Sequence, residues 1–463
     1  MDTTAIADRV HFAALIMFHY LFPPVTIGLG ILIAALKVIQ VRRGEGYDGL
    51  HARAARFWGK LFLLNYGAGV ATGVPMEFQF GTNWARFSNI SGGIIGQGLM
   101  MEGLFAFFLE SAFLAVFLFG EKRVSVKVHA LSAALVATGS IISAYFITAT
   151  DAWMQHPVGF APGPGGVLRL TSLTAVLTNP FEVWEYLHTV CGAFVNGALV
   201  MAALAAFYLL ARKHTAFARV TLALSLVAGL VFSLAQVFPT GAKNGEMIVR
   251  YQPTTLAAME GQFKTEPGAP LAIIGMPDPK KGTLLDAVEV PGLLSYLAYG
   301  DAHASVKGLN DIPRDLWPPV EVVYYAYHIM ITLGGYFIAL TALGVFLLWR
   351  KKLEAARWYL WALLLSLPFP YIANEAGWVV TCVGRQPWII YGVLRTSQGY
   401  SPNVSSGEVI FTLLGFVGIY IVLGLLFVFL LLKHIARGPE EAGPDEPGQP
   451  LPSIEPVREE ALV

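Results

Sequence analysis

Hydrophobic residues run along this chain in long unbroken stretches, not in alternation. Nine stretches, at about 12–36, 59–79, 94–120, 128–150, 184–211, 217–238, 321–349, 357–380 and 408–433, reach the roughly 20 apolar residues that a bilayer-crossing helix requires. Continuous runs predict helices, because barrel strands would alternate. Asp2, Asp8 and only then Arg9 precede the first stretch, so it reads as a retained helix and not a cleaved signal. No internal repeat and no soluble second domain stand out. The pattern predicts an all-α polytopic membrane protein with about nine transmembrane helices.

Lys and Arg in the short loops set the orientation. The first loop carries Lys37, Arg42, Arg43, Arg53, Arg56 and Lys60, the third Lys122, Arg123 and Lys127. The fifth carries Arg212, Lys213 and Arg219, the seventh Arg350, Lys351, Lys352 and Arg357. The second and fourth have only Arg86 and Arg169, and the eighth has Arg385 and Arg395. The odd loops therefore face the cytoplasm, with the N-terminus outside and the C-terminus cytoplasmic. Residues 1–238 hold the first six helices. Residues 239–320 form a long extracytoplasmic loop, whose seven Lys/Arg do not decide its side because long loops translocate regardless of charge. Loops of that length are usually functional. Residues 321–434 hold the last three helices. Residues 435–463 read as an acidic, Pro-rich, disordered cytoplasmic tail, with six prolines and seven acids from Gly438 onward.

Composition narrows the chemistry. Of 463 residues, 55% are hydrophobic and 13% charged, against roughly 25% charged in soluble domains. Lys+Arg and Asp+Glu are equal at 31 each, which excludes a disordered chain and leaves no basic surplus for nucleic acid. Two cysteines exclude a disulfide scaffold and a Cys-based zinc or iron–sulfur site.

Ionisable residues inside spans are costly and usually functional. His19, Glu77, Glu102, His188, His328, Met330 and Glu375 fall in the outer half of the predicted bundle; Glu110 lies two turns deeper than Glu102, and Arg385 just beyond Glu375. A set of His, Met, Glu and Cys among many aromatics suits haem, whose iron takes axial His, Met or Cys. His188 and Met330, at similar depth on different helices, meet the demand of a bis-axial haem. Each also has a plainer reading: an interfacial or helix-bridging histidine, and a methionine that only packs. Glu102 and Glu110, near one face of a helix, read either as a proton relay or as acids satisfied by neighbouring helices. The pattern alone leaves a redox or proton-coupled protein and a transporter both open.

Specific strings go further. FWGKLFLLNYGAGVATGVPMEFQFGTNW (57–84), GRQPW (384–388), FHYLF (18–22), MEGLFAFFLES (101–111), HTV (188–190) and GMPD (275–278) resemble subunit I of the cytochrome bd quinol oxidase family, in its short-loop branch. The resemblance runs from about Arg9 to about His434. It implies that His188 and Met330 are the axial pair of a low-spin haem b, the entry point for electrons. It implies that His19 is an axial ligand in a high-spin di-haem site, with b- and d-type haems in either order, and that Glu102 contacts that site. Glu110 and Ser143 are similar to groups of a cytoplasmic proton path. Arg9, Trp378 and Arg385 match positions that support haem propionates or electron transfer, and Glu260 matches the quinol-binding acid. The implied reaction oxidises two quinols, reduces oxygen to two waters and builds a proton gradient without pumping. It takes place in a bacterial or archaeal inner membrane, beside a second hydrophobic subunit and, in some members, a small single-span one. Plainer roles stand beside these: Trp378 and Trp388 as interfacial belt residues, Arg385 as a loop charge, Ser143 bonding its own helix backbone, Glu77 paired across helices, and Cys191 as packing.

Three positions depart from the pattern. Cys382 stands where the family has a Glu that ligates the second high-spin haem. A thiolate ligand, a substitute such as Glu375 two turns earlier, and a changed or missing haem are the alternatives. Thr255 replaces a Lys five positions before Glu260, and His328 replaces an Arg two before Met330. A histidine there titrates near neutrality where an arginine stays charged, with consequences for haem potential and quinone preference. The changes suggest a divergent branch. The rivals are a quinol-linked electron-transfer subunit without normal oxygen reduction and, more remotely, a haem-free transporter.

Overall fold

The computed structural model describes residues 3–440. Its α-helices are α1 (Thr3–Tyr20), α2 (Pro23–Arg42), α3 (Leu50–Thr82), α4 (Ala85–Met101), α5 (Phe108–Phe119), α6 (Val126–Gln155), α7 (Leu173–Leu177), α8 (Pro180–Leu210), α9 (Thr215–Ala235), α10 (Ala242–Tyr251), α11 (Pro253–Glu260), α12 (Leu293–Tyr299), α13 (Val320–Trp349), α14 (Arg357–Leu365), α15 (Phe369–Gly384) and α16 (Ser406–Arg437). Among the described residues, seven helical segments are long and apolar enough to cross a membrane: Thr3–Arg42, Ala85–Phe119, Val126–Gln155, Pro180–Leu210, Thr215–Tyr251, Val320–Trp349 and Ser406–Arg437. The stretches at 59–79 and 357–380 are helical as well, in α3 and in α14 with α15. They fall below that measure because glycines and polar side chains dilute α3, and because the other is cut into pieces of 9 and 16 residues.

Prolines and wide turns place the interruptions. Pro23 and Pro24 open α2 and separate it from α1, so the predicted first span is two helices. Pro368 and Pro370 do the same between α14 and α15. Proline lacks the N–H that a continuing helix needs, and is tolerated in a first turn. π-Helical turns join α4 to α5 (Glu102–Phe107) and α9 to α10 (Gln236–Gly241, with Pro239 inside). Such turns recur at functional sites because they rotate the side chains that follow. The second one corrects the expected loop start at 239: the helix continues to Tyr251. Side chains cap the entries, Ser125 at α6, Asn179 at α8, and Ser405 with Glu408 at α16. The last helix runs to Arg437, past the expected boundary at 435; residues 441–463, on which the rest of the expected tail falls, lie outside the described residues.

The centre of the bundle is packed by small residues. Gly28 of α2 meets Gly197 and the Ala193 carbonyl of α8 backbone to backbone. Ala198, Ala202, Ala205 and Ala206 extend that close approach, and Trp58, Phe62 and Leu36 fill around it. Small residues let helices approach where lipid supplies no hydrophobic drive between them. Among the described residues, sheet is confined to two-stranded antiparallel pairs: β1 (Phe160–Pro162) with β2 (Leu168–Leu170), β3 (Glu266–Pro267) with β6 (Ser305–Val306), β4 (Leu271–Asp278) with β5 (Thr283–Val290), and β7 (Trp388–Ile390) with β8 (Leu394–Arg395). The β4–β5 hairpin pairs Leu271 with Val290 and Asp278 with Thr283. Asp278 Oδ1 accepts the backbone N–H groups of Lys280 and Lys281 at its turn. Those contacts hold the Asp278 carboxyl below its ordinary range, so GMPD (275–278) ends in a turn-forming aspartate.

Candidate functional site

Three groups of polar residues are set by α1, α6, α8, α11, α13, α15 and the turn after α9. The first surrounds His188 of α8. Gln236, in the π-turn after α9, brings its Nε2 to 3.1 Å from His188 Nε2, while His188 Nδ1 and Gln236 Oε1 have no partner. Glycines border this seam: a Cβ on Gly241 would lie 3.3 Å from the His188 ring, one on Gly192 3.1 Å from Asn374 Oδ1, and one on Gly377 3.1 Å from Met330 Sδ. His188 and Met330 thus lie along one seam, joined by Gln236, Asn374 and Gly377. Asn374 Nδ2, both Glu375 carboxyl oxygens and Trp378 Nε1 are likewise buried without partners. Buried polar atoms are normally satisfied, so a row of orphans beside bare glycine backbone is what a polar, flat guest would leave.

The second group lines a cavity of about 380 Å3 between α1 and α15, bordered by Arg9, Phe12, Trp84, Trp378, Cys382 and Arg385. That volume falls within the range of small-molecule sites. Arg385 Nη1 donates to Asp151 Oδ1 at 2.6 Å, and Arg385 Nε is unpartnered. Trp378 stacks on Tyr20 with centroids 5.5 Å apart. Next to Tyr20, His19 Nδ1 is 3.1 Å from Thr72 Oγ1, and its ring lies against Gly73. Glu102 is engaged elsewhere: Ser143 Oγ donates to it at 2.6 Å, and Glu77, one turn from Gly73, acts on it electrostatically. Glu110 receives Ser140 Oγ at 2.5 Å. Cationic Arg9 and Arg385, orphan donors and an apolar wall together fit a flat acidic macrocycle such as haem.

The third group is at α11. Glu260 is buried with Oε2 unpartnered and is hydrogen-bonded to Tyr327. Burial pushes its carboxyl up to about 7, against the opposing Tyr327 contact. His328, one residue on, lies between two carbonyls: Nδ1 is 2.9 Å from Tyr324 O, and Nε2 is 3.2 Å from Ala272 O of β4. It therefore ties the hairpin to α13. Thr255 donates to Gly384 O at 2.9 Å, and a Cβ on Gly384 would lie 2.7 Å from the Thr255 methyl. That close seat on the end of α15 leaves no room for a longer side chain.

The sequence pattern missed Asp151, Glu182 and Glu185. The expected span 128–150 stopped one residue before Asp151, and Glu182 lay just ahead of the span at 184–211. The signal was present: Glu182, Glu185 and His188 recur every three residues, and so share a helix face.

A sequence profile described as cytochrome bd terminal oxidase subunit I matches residues 7–439. The chain is 37% identical over 448 residues to the cytochrome bd ubiquinol oxidase subunit 1 of Bacillus subtilis, covering 94% of each chain. It is 32% identical over 510 residues to the cytochrome bd-II ubiquinol oxidase subunit 1 of Escherichia coli, covering 96% of this chain and 98% of that one. Among solved structures, the bd oxidase from Geobacillus thermodenitrificans superposes with a TM-score of 0.88 at 31% identity, covering 94% of this chain and 99% of that chain. The chain belongs to the cytochrome bd terminal oxidase subunit I family.

Proposed function

We propose that this chain is the haem-bearing subunit of a membrane quinol oxidase that couples quinol oxidation to reduction of oxygen to water. It spans a bacterial or archaeal cytoplasmic membrane nine times, N-terminus outside and C-terminus inside, beside a second hydrophobic subunit. The observation that carries this reading is the row of unpartnered buried polar atoms from His188 to Trp378, continuous with the cavity flanked by Arg9 and Arg385. His188 and Met330 would hold a low-spin haem b, His19 one high-spin haem, and Cys382 faces the place of the second. Haem supplies one-electron transfer and, at an open coordination position, oxygen chemistry. Arg9 and Arg385 would bind its carboxylates. Trp378 and Tyr20, stacked, bridge α1 and α15 between these places.

Glu260 serves quinol on the 239–320 segment. With its carboxyl at about 7, a large fraction is ionised at neutral pH and accepts a proton from a quinol hydroxyl. Protons released there leave on the outer side. Those consumed in forming water come from the cytoplasm past Glu110–Ser140 and Glu102–Ser143. A proton gradient then arises without pumping.

Cys382 favours a second reading, because a thiol stands where the family carries a carboxylate ligand. In it the chain moves electrons from quinol but does not reduce oxygen at a normal di-haem site. Quinol-driven oxygen uptake by the purified complex separates the two. Uptake at the rate of quinol oxidation supports the oxidase; quinol oxidation by an artificial acceptor without oxygen uptake supports the second reading.

A further inference from the structure

Helix α6 presents polar side chains to three neighbouring elements in succession. Ser140 and Ser143 hold Glu110 and Glu102 on one side. Further along, Thr148 Oγ1 donates to Glu182 Oε1 of α8 at 2.9 Å. At the end, Asp151 receives Arg385 at 2.6 Å, beside Glu185 of α8. From Ser140 to Asp151 this ladder climbs about 16 Å, at about 1.5 Å per residue.

The upper rungs are not an ordinary ion pair. Arg385 already balances Asp151, and a buried carboxyl without a cation of its own, as Glu185 is, keeps its proton. Asp151, Glu185 and Arg385 therefore hold one negative charge, one positive charge and one transferable proton. Glu182 is fully buried and Glu185 nearly so, and each has Oε2 unpartnered. Arg385 is only 6% exposed, its Nε is also unpartnered, and it lines the cavity with Cys382. Asp151 and Glu185 both act electrostatically on Cys382. The Glu185 proton thus sits behind Arg385, which lines the cavity.

We infer that Glu182, Glu185 and Asp151 form a proton relay from the α6 ladder into the cavity bordered by Arg385 and Cys382. The inference rests on reading that cavity as the place of oxygen reduction. In the transfer, the carboxyl O–H bond at the Asp151–Glu185 pair breaks as an O–H bond forms on a basic oxygen in the cavity. Two carboxylates then face one guanidinium. That excess negative charge draws a proton from Glu182, which is refilled from the Glu102 end. No electrons move among these groups, and no co-reactant is needed.

The test uses the whole purified complex with Glu185→Gln, Glu185→Asp, Glu182→Gln and Thr148→Val. Low-spin haem absorbance serves as the assembly control, and redox-difference infrared spectra report protonated carboxyl groups. Glu185→Gln should lower oxygen consumption at least about a hundredfold, the low end of proton-transfer effects. It should also remove one protonated-carboxyl band, and Glu185→Asp should restore most of both. Glu182→Gln should slow proton uptake after a single turnover while keeping that band. If Glu185→Gln does not assemble, Thr148→Val carries the test: slowed proton uptake supports the relay, and an unchanged rate overturns it. An assembled Glu185→Gln complex with wild-type turnover and wild-type infrared bands also overturns it. Failure of the oxidase reading looks different, since the wild-type complex would then contain no carbon-monoxide-sensitive haem.

Discussion

Replacing Gly28 by alanine would put a Cβ 2.2 Å from the Ala193 carbonyl oxygen and 2.7 Å from Gly197 Cα. Ordinary contact begins at 3.4 Å, so α2 and α8 would have to part by about 1.2 Å. Neither obstacle is a flexible side-chain tip; both are backbone. Overpacking of this kind costs about 1–3 kcal/mol. Gly197→Ala meets the same crossing from the other side, 2.4 Å from the Gly28 carbonyl carbon. One separation of the helices relieves both clashes, so the double variant should cost well below the sum of the singles, by about 1 kcal/mol or more. Gly67→Ala is the control, because nothing lies within 4 Å of its Cβ. The assay is detergent-solubilised unfolding followed by helicity, with low-spin haem absorbance as a second probe. His188 is on the displaced helix, nine residues from Gly197, so its absorbance should shift in Gly28→Ala before unfolding begins. A Gly28→Ala midpoint equal to that of Gly67→Ala, or strictly additive single and double costs, would refute the close-crossing reasoning.

Other perturbations test the sites. Glu260→Gln should lower quinol oxidation by about a hundredfold and abolish the rise in rate expected of wild type as pH climbs through about 7. The linkage has the opposite sign for stability. A carboxyl raised by burial binds its proton more tightly when folded, so its contribution is full below its ordinary value and is lost as pH rises toward about 7; unfolding midpoints across that window check it. His328→Leu removes the partner of the Ala272 and Tyr324 carbonyls, and should speed limited proteolysis within 271–290 several-fold. Asp151→Leu with Glu185→Gln leaves the buried Arg385 guanidinium uncompensated and should cost about 3–5 kcal/mol, whereas adding Arg385→Met should recover most of it; a variant cycle by unfolding reads the difference.

The helical elements were legible because runs of apolar residues are long; the breaks at Pro23 and Pro368 were passed over, since the runs 12–36 and 357–380 stay apolar across them. The π-turns were not, since a single wider turn leaves hydropathy unchanged; only the backbone hydrogen bonding reveals that Glu102 and Gln236 stand at such turns. The positions of His188 and Met330 along their helices were readable from the spans. Their common seam was not, because it depends on glycines 192, 241 and 377 arriving from three different segments. Asp151 was hidden by a different cause. A span boundary set by hydropathy excludes the first charge it meets, and this charge is buried by partners distant in sequence, Arg385 and Glu185. His328 was read as a titrating replacement for an arginine, while its ring also bridges two carbonyls from separate elements.

The most direct measurement is a reduced-minus-oxidised spectrum of the purified complex, with and without carbon monoxide, together with extraction of its haems. The oxidase reading predicts a low-spin b signal and two high-spin haems that respond to carbon monoxide, with Cys382→Ser perturbing one of those bands. A low-spin b signal alone, or a colourless protein, would contradict it.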